Sequence, residues 1–521
     1  MAFENKNNTK QTKLSHISQN LSLSTLWKSL VISGALLFLL HTFAFNHPHK
    51  ILTHKLFAPF DLTFSSSSSS SSSFSSSSSF SSSSSSSFSS SSSSFSSEIS
   101  SLSPSSLQLA REPPTNISHL MFVIVGSTRT WRYRRGYIEP WWRPNITKGH
   151  VFLERPPGPD LLPWPQQSPP FSVNKDRFVR NKKFKTQIRL LQSLHESFEK
   201  ASKDTRWFVI ADDDTIFFLD NLVEALDRYD HKKYYYIGMN SENVWCNGIF
   251  AYDMAYGGGG YALSYRTLET LLNRKEDCIA RYLGVYSDVL SFQCLADLGI
   301  DLTLEKGMHQ IDLHGDISGL LSAHPQSPLI SLHHFDVIEP IFPALDRQQS
   351  VNHFMKTANT DQTRILQQTI CYQRGNNWSV SVSWGYSVHI YQSIFPRSYL
   401  KRPLETFRPW RRVMIPLYTF NTRKVNNDPC EMPRQFFFDS VVEDKNQSLV
   451  STLYKVPTAG SLPPCLTNGN HSASSITQVR VIAATMHKMG EGIECCDVES
   501  LNSTEILEVK IRACLKDEVL A

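Results

Sequence analysis

The chain has 521 residues, 40% of them hydrophobic and 19% charged, with a formal net charge of +5, which is length enough for two or three domains and a sizeable core. So small a charge argues neither way on nucleic acid by itself, but no lysine-rich face or aromatic-basic repeat accompanies it, and no nucleic-acid partner is expected.

The amino end carries a targeting signal. Lys6, Lys10, Lys13 and Lys28 precede residues 29–45, an apolar run broken only by small polar residues and His41, which is about the shortest stretch that spans a bilayer. The polar region before it is too long for a cleaved signal peptide and no small-x-small site follows, so it reads as an uncleaved signal anchor with residues 1–28 in the cytosol. Everything past residue 46 is then expected in the lumen. N-x-Ser/Thr sequons at Asn116, Asn145, Asn377, Asn446, Asn470 and Asn502 agree with that placement. The nine cysteines all follow the anchor, so disulfides are the default, and an odd count leaves at least one free or paired with another chain. No CxxC is matched by a second CxxC or a spaced histidine pair, so no structural zinc site is expected.

Residues 65–97 are almost pure serine, interrupted by Phe74, Phe80, Phe88 and Phe95. Such a segment cannot offset its ordering entropy, and residues 46–115 read as a disordered stem. Order is expected from about Asn116. Residues 119–126, HLMFVIVG, form a continuous apolar run and read as the first strand of a mostly parallel sheet. Arg129, Arg132, Arg134 and Arg135 follow at its carboxyl end, where guanidinium groups are well placed to meet a diphosphate, Arg129 first among them. After a proline-rich loop at 156–170, a helix is expected over 176–200 with Phe184, Ile188, Leu191, Leu194 and Phe198 on one face.

The central stretch is 206–221, RWFVIADDDTIFFLDN. Trp207 to Ile210 read as a buried strand whose carboxyl end presents Asp212, Asp213 and Asp214, the edge where open α/β sheets place their ligands. Adjacent aspartates repel one another and are hard oxygen ligands suited to Mg²⁺ or Mn²⁺. A second amphipathic helix with Leu219, Leu222, Val223 and Leu226 follows, then a strand at 234–238. Gly257 to Gly260 read as a glycine turn leading directly into a helix, its bare backbone able to approach a ligand. A further helix is expected with Asp288 near its start and Gly299 just past its end. His333 and His334 in SLHHFD stand beside Asp336. From about residue 345 period-two patterns dominate, as in 378–391 and 477–484, pointing to a β-rich second domain.

With these motifs assembled, the sequence resembles the plant Fringe-like glycosyltransferase family, related to the Fringe and core-1 group of inverting β-1,3-glycosyltransferases. WFVIADDDT, YYYIG, GGGGYALS, the SDV segment and SLHHFD occur in the family's order over about residues 118–345. The resemblance implies an α/β fold with a GT-A-type (Rossmann-like) domain at 116–345 on a type II membrane anchor and stem, followed by a β-rich domain at 346–521. It implies a UDP-sugar donor, a divalent cation, Mn²⁺ or Mg²⁺, a glycan or glycoprotein acceptor, and a Golgi membrane location, and it leaves room for a homodimer. By position in the motifs, Asp212, Asp214 and His333 would hold the metal, and Asp212, Asp213 and Arg129 would meet the donor. Gly258, Gly259, Gly260 and Tyr261 would shape the pocket, with Asp288 as general base. One departure is that Ser287 precedes Asp288 where relatives often carry a second acid, and Phe292 lies where a glycine often follows. Two other readings stay open: an inactive lumenal glycan-binding protein on the same frame, and a metal-dependent lumenal hydrolase.

Overall fold

The computed structural model describes residues 112–175, 185–411, 415–428, 431–457, 472–485, 494–500 and 505–518. The expected anchor at 29–45, the serine tract and residues 176–184 of the helix expected over 176–200 lie outside the described residues, as do Asn470, Asn502, Cys430 and Cys465. Among the described residues no helix is long and apolar enough to cross a membrane.

The apolar runs become the strands of a mixed seven-stranded sheet. Its members are β1 (Leu120–Val125), β2 (Lys148–Leu153), β3 (Phe171–Val173), β4 (Trp207–Asp212), β6 (Tyr236–Gly238), β7 (Tyr261–Ser264) and β8 (Leu302–Leu304), while β5 (Ile216–Phe217) belongs to a small separate sheet. The order is β3-β2-β1-β4-β7-β6-β8. β1 runs parallel to both β2 and β4, whereas β7 lies antiparallel between β4 and β6. The mostly parallel expectation therefore holds for the first half of the sheet and fails at β7. The glycine turn does not enter a helix directly either. YALS forms the four-residue strand β7 first, and Ser264 then caps the helix Tyr265–Asn273 by accepting from the Thr267 N–H. A short apolar run gives no period by which strand and helix can be told apart.

Both faces of the sheet are covered, which is why the strands read as unbroken apolar runs. Leu120, Phe122 and Ile124 of β1, with Trp207 and Val209 of β4, point into one core. Met121 and Val123, with Phe208 and Ile210, point into the other. The second core is closed by four helices, α2 (Lys185–Lys200), α5 (Tyr265–Asn273), α6 (Lys275–Arg281) and α7 (Ser287–Asp297), numbered after α1 (Trp131–Ile138), with α3 (Leu219–Asp227) and α4 (Val244–Ile249) between α2 and α5.

The first core runs on without a break into the carboxyl-terminal half, reaching Val382, Tyr454 and Val509. There eight strands form one sheet in the order Gln368–Gln373, Trp378–Ser383, Ser387–Tyr391, Arg434–Asp444, Leu449–Lys455, Gln478–Ala484, Ile506–Ala513, Glu494–Ser500. Its two edge strands are joined by the Cys371–Cys496 disulfide, with a Cα separation of 5.6 Å. Cys278–Cys294 and Cys495–Cys514 are also paired, and Cys246 is a buried free thiol. The alternation in 477–484 does alternate between buried and half-buried residues. WSVSVS does not: Trp378 to Ser383 are buried on both faces, its serines included. Those serines find partners instead of water, Ser383 Oγ donating to the Leu321 carbonyl at 2.8 Å and Ser379 Oγ to the Ser393 carbonyl at 2.7 Å.

Candidate active site

β4 ends at Asp212, paired in register with Val125, and the chain then turns sharply. Thr215 fixes that turn. Its Oγ1 accepts from the Asp212 N–H at 3.0 Å and donates to the Gly258 carbonyl at 2.8 Å, while the Trp141 indole donates to the Thr215 carbonyl at 2.9 Å. The aspartate turn and the glycine segment are thus held as one piece.

The three carboxylates leave this turn in different directions. Asp213, 2% exposed, accepts from the Arg134 guanidinium at 2.8 Å, the Thr130 hydroxyl at 3.0 Å and the Ser127 N–H at 3.2 Å. It ties the triplet to the segment after β1 and has little capacity left for a ligand. Asp214 is fully buried, with Arg134 Nη1 at 3.2 Å and His333 Nε2 at 3.3 Å from its Oδ1. Asp212 keeps 43% of its side chain exposed, with His333 Nε2 at 3.9 Å.

His333 reaches the pair through strand pairing. β5 lies antiparallel to Ser331–Leu332, matching Ile216 with Leu332, so the next residue arrives beside Asp214. Its Nδ1 lies 3.2 Å from the Gln310 carbonyl, which can only accept, so Nδ1 carries a proton and Nε2 faces the carboxylates. His334, on a left-handed backbone with φ +63°, lies against the His333 ring at 3.8 Å between centroids and also stacks on Trp410 at 4.8 Å.

The glycine segment is a packing platform for these groups. A Cβ on Gly258 would strike the His333 ring, and one on Gly257 would come 2.8 Å from Asp288 Oδ1. The Gly257 N–H donates to Asp288 Oδ2 at 3.2 Å, which places Asp288, in the first turn of α7, across Gly257 and Gly258 from His333. Gly259 donates to Gln310 Oε1 at 2.6 Å and accepts from Ser331 Oγ. Gly260 has φ +79° and faces Phe217, so it too must be glycine. Tyr261, expected at the pocket, is 1% exposed and packs in the second core with its ring edge-on to Tyr236.

Charge is concentrated here beyond what the protein's own cations balance. The Asp212 carboxyl, though 43% of its side chain reaches solvent, is raised by the desolvation its crowded surroundings impose, with His333 opposing and the neighbouring carboxylates adding to it. Burial also raises Asp213, against the pull of Arg134, and raises Asp288, against its Gly257 hydrogen bond. Asp214 moves the opposite way. Burial opposes ionisation, but His333 and Arg134 together hold it below the usual carboxylate range. His333 itself, resisting burial, is lifted to about 9 by Asp214 and Asp212.

The residues fit a divalent cation. Asp212, Asp214 and His333 each offer a ligand atom, all within 4.8 Å of one another. Asp214 and Asp336 are close enough to perturb each other, with Asp214 lowered and Asp336 raised, as two carboxyls sharing one proton would be. Two carboxylates and one imidazole suit Mn²⁺ or Mg²⁺ in oxygen-rich coordination.

Arg129 does not reach the aspartates. It lines a cleft of about 520 Å³ with Ser127, Glu154, Asn174 and Arg189, adjoining Asp213 through Ser127. Arg134 is the arginine that meets them, spanning Asp213, Asp214 and, at 2.6 Å, Asp336. Arg134, Asp336 and Gln310 were not singled out from the sequence. Arg129, placed first by its position after β1, is not the arginine that the direction of α1 brings onto the carboxylates. Asp336, in SLHHFD, was the more legible of the three.

A family model described as a protein of unknown function, DUF604, matches residues 246–496. Over 116 residues the chain is 31% identical to a beta-1,3-glucosyltransferase of Homo sapiens, a match covering 22% of this chain and 22% of that one. The chain thus spans about a fifth of that relative's length. Among solved structures it is similar to the catalytic domain of Drosophila beta1,4galactosyltransferase 7 in complex with xylobiose, at 15% identity over 36% of this chain and 64% of that one, with a TM-score of 0.21. It is also similar to the mannosyltransferase PcManGT from Pyrobaculum calidifontis in complex with GDP-Man and Mn²⁺, at 13% identity over 37% and 58%, with a TM-score of 0.23. A glycosyltransferase involved in glycosylation of the PBCV-1 major capsid matches at 10% identity over 46% and 99%, also with a TM-score of 0.23.

Proposed function

We propose that this chain transfers a hexose or N-acetylhexosamine from a UDP-sugar to a hydroxyl of a glycan or glycoprotein, with inversion and in β-1,3 linkage. The observation that carries the reading is the placement of Asp212, Asp214 and His333 at the carboxyl end of β4, with Asp288 facing them across Gly257 and Gly258. The beta-1,3-glucosyltransferase relative supports it over the stretch that matches.

A divalent cation held by Asp212, Asp214 and His333 would supply Lewis-acid stabilisation of the charge that develops on the leaving diphosphate. The chain's own residues do the rest. The cleft walled by Ser127, Arg129 and Arg189 receives the nucleotide portion of the donor. Arg134 holds Asp213 and Asp214 in place so that the carboxylates do not spread apart under their own repulsion. Asp288 accepts the proton of the attacking hydroxyl, and its burial makes it a stronger base than a solvated aspartate. Attack from the Asp288 side, opposite the diphosphate, inverts the anomeric centre.

The three disulfides among the described residues support an oxidising compartment, and with residues 29–45 as anchor the proposed site is the Golgi lumen. The experiment is a panel of UDP-sugars incubated with the purified protein, with and without Mn²⁺. One sugar nucleotide is expected to be hydrolysed slowly, only with metal, and to be transferred faster when the acceptor is present. Release of sugar or phosphate from glycans with no nucleotide requirement would replace this reading with a hydrolase.

A further inference from the structure

A second group of metal-ligating side chains lies apart from Asp212, Asp214 and His333. Glu242 just before α4, His309 in the short strand Met308–His309, and His324 after the turn Ser318–Leu321 each offer a ligand atom, all within 4.8 Å of one another. Glu242 and His309 are 4% and 5% exposed.

The arrangement is more than an internal ion pair. Glu242 Oε2 accepts from the Ile311 N–H at 2.7 Å, which aims Oε1 at His309 Nδ1, 3.1 Å away. A metal shared with Glu242 would take the place of the proton on Nδ1, while Nε2, on the far side of the ring, is buried with no partner. His324 stands edge-on to His309, 5.4 Å between ring centroids, and is fixed from behind by Phe420 at 4.0 Å. All three line a cavity of about 250 Å³ with Met308, Gln326 and Thr419.

We infer that Glu242, His309 and His324 bind a divalent transition metal of the zinc type. Two imidazoles and one carboxylate form the donor set that zinc takes in three-ligand sites, with the fourth position open to water, here toward the cavity. Mn²⁺ and Mg²⁺ prefer more oxygen. The three ligands come from segments far apart in the chain, so no spacing motif announces them. The site also borders the proposed active site: His309 immediately precedes Gln310, whose carbonyl orients His333. A metal here ties His309, and with it the Gln310 carbonyl that orients His333, to Glu242 and His324, and so acts as a positioning device for His333.

The test does not depend on the proposed activity. The full chain carrying Asp214→Asn, which weakens the first site, is stripped of metal and titrated with Co²⁺ alone. Expected is one equivalent bound with the intense visible bands of tetrahedral cobalt, displaced by one equivalent of Zn²⁺. His324→Gln, at a half-buried position and with its fold checked by circular dichroism, is expected to lower Co²⁺ affinity by about tenfold or more, and Glu242→Gln to do the same. Zn²⁺ is also expected to raise the melting temperature of the Asp214→Asn protein and not that of Asp214→Asn with His324→Gln. Absence of tetrahedral cobalt bands, or equal Co²⁺ affinity with and without His324, would overturn the inference.

Discussion

Gly258→Ala is the sharpest probe of how the site is held. The added Cβ would sit 2.5 Å from His333 Nε2 and closer still to Nδ1 and Cε1, where an ordinary contact needs at least 3.4 Å. Gly258 itself is fixed through its carbonyl by Thr215 at 2.8 Å, so the imidazole must give way by roughly 1 Å. That movement breaks the 3.2 Å Nδ1 contact to Gln310 and swings Nε2 away from Asp214. Overpacking of this kind costs about 1–3 kcal/mol, and a misplacement of about 1 Å at a reacting centre costs about 10²-fold in rate. The assays are urea unfolding and Mn²⁺-dependent turnover. In a double-mutant cycle with His333→Ala, which deletes the ring, the stability cost of Gly258→Ala is expected to fall to a few tenths of a kcal/mol. Wild-type turnover and stability in Gly258→Ala, or an undiminished stability cost in the His333→Ala background, would refute the packing argument.

Two further outcomes follow from the electrostatics. Arg134→Ala leaves Asp213, Asp214 and Asp336 without their shared cation and is expected to destabilise the protein by about 3 kcal/mol, partly recovered by millimolar Mn²⁺, as read by thermal unfolding. Buried His389 has its pKa pushed down to about 3 by burial, helped by Arg423. The folded state therefore binds fewer protons than the unfolded one, so its contribution is intact above about pH 6.5 and is lost as pH falls below that, by about 1.4 kcal/mol per unit. Urea midpoints between pH 7 and pH 5 are expected to fall less steeply in His389→Gln than in wild type, and equal slopes would contradict the assignment.

The parts of the fold that the sequence made legible are those with one dominant cause. β4 announced itself because a strand covered on both faces must be apolar throughout, and the aspartates that end it mark the edge where the sheet meets solvent. α7 was legible from Asp288 at its start and Gly299, φ +71°, beyond its end. What stayed hidden depends on tertiary pairing. β7 is four residues long, too short to show a period, and only its neighbours make it a strand. WSVSVS alternates as if one face were wet, yet both faces are buried because the first core continues onto that sheet. Arg134 could not be placed ahead of Arg129, since the choice lies in the direction α1 takes. The role of Gly258 as a seat for His333 needed the distance between two segments 75 residues apart in sequence, and the Glu242, His309 and His324 group needed three segments at once.

The central claim is that Asp212, Asp214 and His333 hold a metal for the donor while Asp288 serves the acceptor. The most direct measurement is UDP binding by calorimetry with Mn²⁺, alongside transfer from the donor that the panel selects, in wild type, Asp214→Asn and Asp288→Asn. The account predicts that Asp214→Asn loses both metal-dependent UDP binding and transfer, whereas Asp288→Asn binds UDP with Mn²⁺ as wild type does and loses transfer by about 10²-fold or more. Full transfer by Asp288→Asn, or Mn²⁺-dependent UDP binding unchanged in Asp214→Asn, would contradict it.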